Sequence, residues 1–130
     1  MVASNDLTYV ERKGDVFAYP VLAGVVIYGR AAVGITANRD AVPAGHPQAV
    51  KLVGLAEERV DNRGGATGDR LVNAKKSVFA IPLTGATAAN IGSPIYASAD
   101  DTFTLSNANG VLPIGILHAI DSDGIWLKIT

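Results

Sequence analysis

Few residues in this 130-residue chain are of a type and spacing that could do chemistry, so each can be weighed in turn. Gly64-Gly65-Ala66-Thr67-Gly68-Asp69 offers consecutive amides of the kind that cradle an anion. A phosphate loop ends in Gly-Lys-Ser/Thr ahead of a helix, whereas Asp69 brings negative charge here, so the stretch reads as a connector without a core residue. Asp121, Asp123 and Gly124 repeat part of a calcium loop, but the closing glutamate is missing, and a hairpin turn explains the same residues. Asp100-Asp101 reads as a turn. His46 sits in a loop between Gly45 and Pro47, and His118 in an apolar strand reads as a hydrogen-bonded structural histidine. Neither belongs to a metal-ligand pattern. The serines lack a nucleophile elbow, and Glu57-Glu58 would point to opposite faces of a strand. The reading is therefore no catalytic residue, no metal site, no cofactor and no enzyme.

Composition narrows the classes further. A formal charge of −1 gives no pull towards nucleic acid or an anionic membrane. Between Glu57 and Lys76, five basic residues are interleaved with four acidic ones, a two-signed surface suited to a protein neighbour. Without cysteine there is no disulfide, thiolate site or cysteine nucleophile. No apolar run approaches the roughly 20 residues of a membrane helix. Residues 1–13 lack the apolar core of a secretory signal, and the expectation is a soluble protein made in a cytosol. Glu58-Arg59-Val60-Asp61-Asn62-Arg63-Gly64 is a near miss to a segment of the trimeric β-barrel dUTP pyrophosphatases. The catalytic tyrosine position is empty, and that family's other motifs are absent.

The elements that must carry these residues are short. Fourteen glycines and six prolines punctuate the chain, and Val, Ile, Leu and Ala must fill the interior because aromatics are only 6%. Strands are expected over 15–22, 25–28, 31–37, 71–74, 78–83, 94–97 and 103–105, with one helical turn over 87–92 capped by Thr87 and ended by Gly92. Residues 50–60 (VKLVGLAEERV) suit a helical face or a strand, and are read as a strand. The last twenty residues organise the rest. Two apolar runs flank Asp121-Ser122-Asp123-Gly124, a hairpin signal, with the first run expected to be covered on both faces. In the second, Ile125, Leu127 and Ile129 alternate with Trp126, Lys128 and Thr130, so Trp126 is expected to be buried in the core or between subunits. The fold class is all-β: a small single-domain β-barrel or β-sandwich with short strands, long turns and at most one short helix. Residues 1–14 are an N-terminal arm, extended in this reading, and residues 15–130 the β domain.

An ordered series runs through the chain: Ile27-Tyr28-Gly29, Val42-Pro43-Ala44, Val53-Gly54-Leu55-Ala56-Glu57-Glu58, Val60-Asp61-Asn62, Gly64-Gly65-Ala66, Gly68-Asp69 and Val78-Phe79. Ala89-Asn90-Ile91-Gly92-Ser93-Pro94-Ile95-Tyr96 follows, with Gly115-Ile116 and Asp121-Ser122-Asp123-Gly124-Ile125-Trp126 at the end. On this series, residues 24–130 resemble the capsid decoration, or head structural cement, proteins of tailed bacteriophages. Asn90 stands where the family usually has aspartate, and Lys75-Lys76-Ser77 replaces its basic-glycine step. The resemblance implies a structural virion protein, made in the host cytoplasm. It would bind the major capsid protein lattice on the outer surface of the capsid, as a homo-oligomer with a trimer favoured. No nucleic acid and no membrane is a direct partner in that reading. The arm adds expected contacts of its own: Leu7 and Tyr9 share one face of an extended strand, Val10 lies beside them, and Trp126 joins them as a candidate capsid or subunit contact. The competing class is a small ligand- or carbohydrate-binding β module of a phage tail or baseplate.

Overall fold

The computed structural model of the chain describes residues 4–6 and 14–130. Among these residues twelve strands follow one another: β1 (Val16–Pro20), β2 (Val26–Ile27), β3 (Ala32–Ile35), β4 (Ala41–Pro43), β5 (Lys51–Ala56), β6 (Val60–Asp61), β7 (Leu71–Lys75), β8 (Val78–Ile81), β9 (Pro94–Ala99), β10 (Thr102–Thr104), β11 (Leu112–Asp121) and β12 (Gly124–Ile129). They form a five-stranded sheet of order β1-β7-β5-β3-β4, a second of order β10-β9-β11-β12-β8, and a β2-β6 ribbon. All named pairings are antiparallel, and no sheet closes into a barrel. The architecture is thus all-β and layered.

The first sheet is the middle layer. Leu52 and Leu55 of β5 meet Ile95, Ile114, Leu117, Leu127 and Ile129 of the second sheet in one core. Val53 and Ala56 point the other way, against Val21, Ile27, Val60 and Val72. Strict alternation would not put Leu52 and Leu55 on one face. A bulge opposite Val33 and Gly34 inserts the extra residue that allows it. Gly54 carries the distortion with φ +146, and a Cβ there would stand 2.6 Å from the Lys75 carbonyl oxygen. The strand covered on both faces is therefore β5, the segment with the mixed helix-and-strand pattern. β11, expected in that role, buries Ile114 and Leu117 but leaves Ile116 half-buried and His118 exposed at a second bulge. An exposed bulge residue has no need of the internal hydrogen bond expected for His118.

The strands expected over 71–74 and 78–83 form as β7 and β8 but belong to different sheets: β7 pairs with β1 and β5, whereas β8 pairs with β12. The chain crosses between the two large sheets at Lys76-Ser77. Loop 61–69 is also more than a connector. Asn62 is 1% exposed, and its Nδ2 donates to the carbonyls of Val21, Leu22 and Ala66 at 3.1, 3.3 and 3.0 Å. Asp69 closes the loop by accepting the Ala66 amide at 2.9 Å. Among the described residues Asn62 Oδ1 is buried without a hydrogen-bond partner, and a Cβ added at Gly65 would overlap it. The short turn at Ala88–Asn90 forms as expected, with the Thr87 amide donating to Asn90 Oδ1 at 2.8 Å and Gly92 at φ +91 behind it.

Candidate functional site

A groove of about 710 Å³ lies beside β8. Turn 28–31 forms one wall and the Asp100-Asp101 turn another, with Phe79, Phe103 and Trp126 along its length. Each wall has a local cause. Arg30 takes the left-handed conformation at φ +66, which costs a non-glycine residue on the order of 1–2 kcal/mol. Its amide donates to the Ala56 carbonyl at 2.8 Å, and the Ala31 amide closes the turn on Tyr28 at 3.1 Å. So held, the guanidinium lies 5.1 Å from the centroid of the Phe79 ring. Tyr28, 49% exposed, stands at the rim with the Arg59 guanidinium 5.4 Å from its ring centroid.

The groove lining carries Arg30 against Asp100 and Asp101, and a second charged cluster lies outside it. Asp61 clamps Arg63 through Nε at 3.0 Å and Nη2 at 2.7 Å, with Arg59 at 3.9 Å. Those contacts hold its carboxyl far below the usual carboxylate range, the Arg63 hydrogen bonds being the main cause. The Ala32 amide donates to the Asp100 carbonyl at 2.8 Å, a bond between the two large sheets that fixes the acidic turn at the rim. Partial burial pushes the Asp100 carboxyl up, and repulsion from Asp101 adds to it. Among the described residues, no serine, histidine or lysine lines the groove. The lining of Trp, Tyr, Phe and Arg is instead the composition that anchors protein–protein contacts.

Of the residues singled out in the sequence, Trp126 lies in this groove. It is half-buried rather than in the core, because the core-facing positions of β12 are Leu127 and Ile129. Its Nε1 donates to Asp121 Oδ1 at 3.1 Å. The same oxygen accepts the amides of Asp123 and Gly124, so Asp121 organises the hairpin and lies below its ordinary pKa, chiefly through the Trp126 bond. Leu7, Tyr9 and Val10 lie outside the described residues. His46 uses Nδ1 to accept the Gln48 amide at 3.1 Å. Among the described residues, no group of three or more His, Cys, Asp or Glu could hold a metal ion, and no helix is long and apolar enough to cross a membrane. Sequence reasoning missed Tyr28, Arg30, Phe79 and Asp100 as members of one surface. The only local signal was a turn at Gly29-Arg30; their proximity comes from how the sheets pack.

Compared with known proteins, the chain matches no family model, no curated protein and no solved structure.

Proposed function

We propose that this protein decorates the outer surface of a tailed-phage capsid, binding the major capsid protein lattice and stabilising it without catalysis. The observation that carries the reading is the gathering of Trp126, Tyr28, Arg30 and Phe79 around one concave face on an all-β domain. Aromatic and arginine side chains held in fixed conformations lose little entropy on binding and anchor interfaces. The ordered series over residues 24–130 supplies the capsid as the partner. A cement protein acts in many copies, which is consistent with a homo-oligomer, a trimer favoured, assembled in the host cytoplasm and carried on the virion.

The test is co-sedimentation with expanded capsids of the parent phage. Tyr28→Ala and Trp126→Ala are expected to weaken binding at least about tenfold, the loss of one anchor residue. Val50→Thr, at an exposed position away from the groove, is expected to bind like the parent protein. Absence of binding by the parent protein, or equal binding by all variants, refutes the proposal. A second reading, a ligand- or carbohydrate-binding module of a tail or baseplate, draws on Asp100, Asp101 and Trp126 sharing the same groove. Glycan binding by the isolated domain, lost in Trp126→Ala, would favour it instead.

A further inference from the structure

By strand pairing the first large sheet runs from β1 to β4, yet its two outer strands come back together. Val21, the residue after β1, forms a parallel bridge with Ala41, the first residue of β4. Across it the Leu22 amide donates to the Ala41 carbonyl at 3.1 Å. Both bridged residues are 0% exposed and belong to the second core, so this seam closes over Val33, Val53 and Val72.

The hydrogen-bond phase of β1 shows what the next rung of the seam should be. The Val21 amide donates to the Arg70 carbonyl and the Lys76 amide to the Asp15 carbonyl, so Asp15, Phe17, Tyr19 and Val21 direct their backbone groups to β7. Val16, Ala18 and Pro20 direct theirs to the seam. In a parallel ladder each bonding residue reaches the two neighbours of the residue opposite it. Two residues back from Val21 and Ala41, Arg39 falls opposite Tyr19, and its amide would donate to the Ala18 carbonyl. The loop between β3 and β4 prevents that bond, because it turns the Arg39 amide onto the Thr36 carbonyl at 2.9 Å. Pro20 has no amide with which to return a bond to the Arg39 carbonyl.

The Arg39 side chain makes the missing rung. Its Nη2 donates to the Ala18 carbonyl at 3.0 Å, and its guanidinium lies 4.7 Å from the centroid of the Tyr19 ring. The loop is built to aim it: Thr36 Oγ1 accepts the amides of both Asn38 and Asp40, each at 3.2 Å. Arg39 itself is held at φ +71, the left-handed position at which hairpin loops of this length favour glycine. An arginine there is strained where a glycine would not be, and its contacts with Ala18 and Tyr19 offset that strain.

We propose that Arg39 is the clasp of this seam: its guanidinium stands in for a backbone rung and governs how often the β1 and β4 edges part to open the second core. Among the described residues the seam is held by one backbone bridge and this side chain, so it is where the first sheet opens locally. The proposal does not rest on the capsid reading, and its test uses the isolated protein.

Residue-resolved amide exchange on the whole chain reads the seam directly. Leu22 donates across it, whereas Val21 donates away from it to the Arg70 carbonyl, so neighbouring amides serve as probe and control. In the parent protein Leu22 should be protected at least about tenfold less than Val21. Arg39→Gly relieves the left-handed strain and removes the side chain; it should lower Leu22 protection at least about tenfold further and leave Val21 within about twofold. Glycine also adds backbone freedom of its own, so Arg39→Asn is the second variant. Asparagine tolerates the left-handed region and is too short to make the Arg39 contacts, and it should loosen Leu22 to the same extent. Parental protection at Leu22 in either variant, or equal acceleration of Leu22 and Val21, would overturn the clasp.

Discussion

Replacing Asn62 by alanine tests whether loop 61–69 is a structural anchor. The amide nitrogen has two hydrogens spread over three carbonyls, those of Val21, Leu22 and Ala66. Val21 O also accepts from Gly68, and Ala66 O also accepts from Asp69, so among the described residues Leu22 O is the acceptor left without a donor. Two net hydrogen bonds at about 1 kcal/mol each, plus the small void left by a buried amide, give a loss of about 2–4 kcal/mol. For a domain of this size that lowers the melting temperature by roughly 8–15 °C. Asn62→Asp should be worse at neutral pH, since it turns a carboxylate oxygen towards the three carbonyls in a site that is 1% exposed. It should recover in acid, where the protonated carboxyl can donate once. Thermal melts followed by circular dichroism give the order parent, then Ala, then Asp. If Asn62→Ala melts within about 2 °C of the parent, the hydrogen bonds are incidental and the loop is a connector after all.

Other outcomes follow from the same geometry. Gly54→Ala should cost several kcal/mol or abolish folding, because a side chain would meet the Lys75 carbonyl in a conformation that L-residues avoid; soluble yield and urea midpoint report it. Trp126→Ala, at a half-buried site, should cost only about 1–2 kcal/mol in a urea melt and leave the circular dichroism spectrum unchanged. Asp121 has a depressed folded pKa, so its stabilisation is present above the unfolded value of about 4 and is lost as pH falls through the folded one. The melting difference between parent and Asp121→Ala should therefore shrink in strong acid. Asp100 is shifted the other way, so ionising it opposes folding once the pH exceeds its unfolded value. Asp100→Asn should raise the melting temperature at pH 7 and change little near pH 3.

The parts of the fold legible in the sequence were those written in local chemistry. The closing hairpin, the Thr87 turn and most short strands follow from alternation and from Gly, Asp and Thr at turn positions. The parts not legible depend on neighbours far along the chain: β5 was read as a strand, but not as the one covered on both faces. β5 shows mixed periodicity because a bulge at Gly54 turns side chains to two cores, which a one-face pattern cannot express. Loop 61–69 looked empty because its anchor is a polar side chain; Asn62 is buried by meeting backbone carbonyls, a role that hydrophobic patterning never flags. The groove was the least legible. Tyr28, Phe79, Asp100 and Trp126 belong to four separate segments, and their meeting is a property of sheet packing.

Cryo-electron microscopy of the parent phage particle tests the central proposal most directly. The account predicts density for this layered β domain on the outer capsid surface, repeated with the symmetry of the lattice, with the groove at Tyr28, Arg30 and Trp126 turned towards the major capsid protein or a neighbouring copy. A particle without the domain on its shell, or with the domain only in the tail or baseplate, would contradict it.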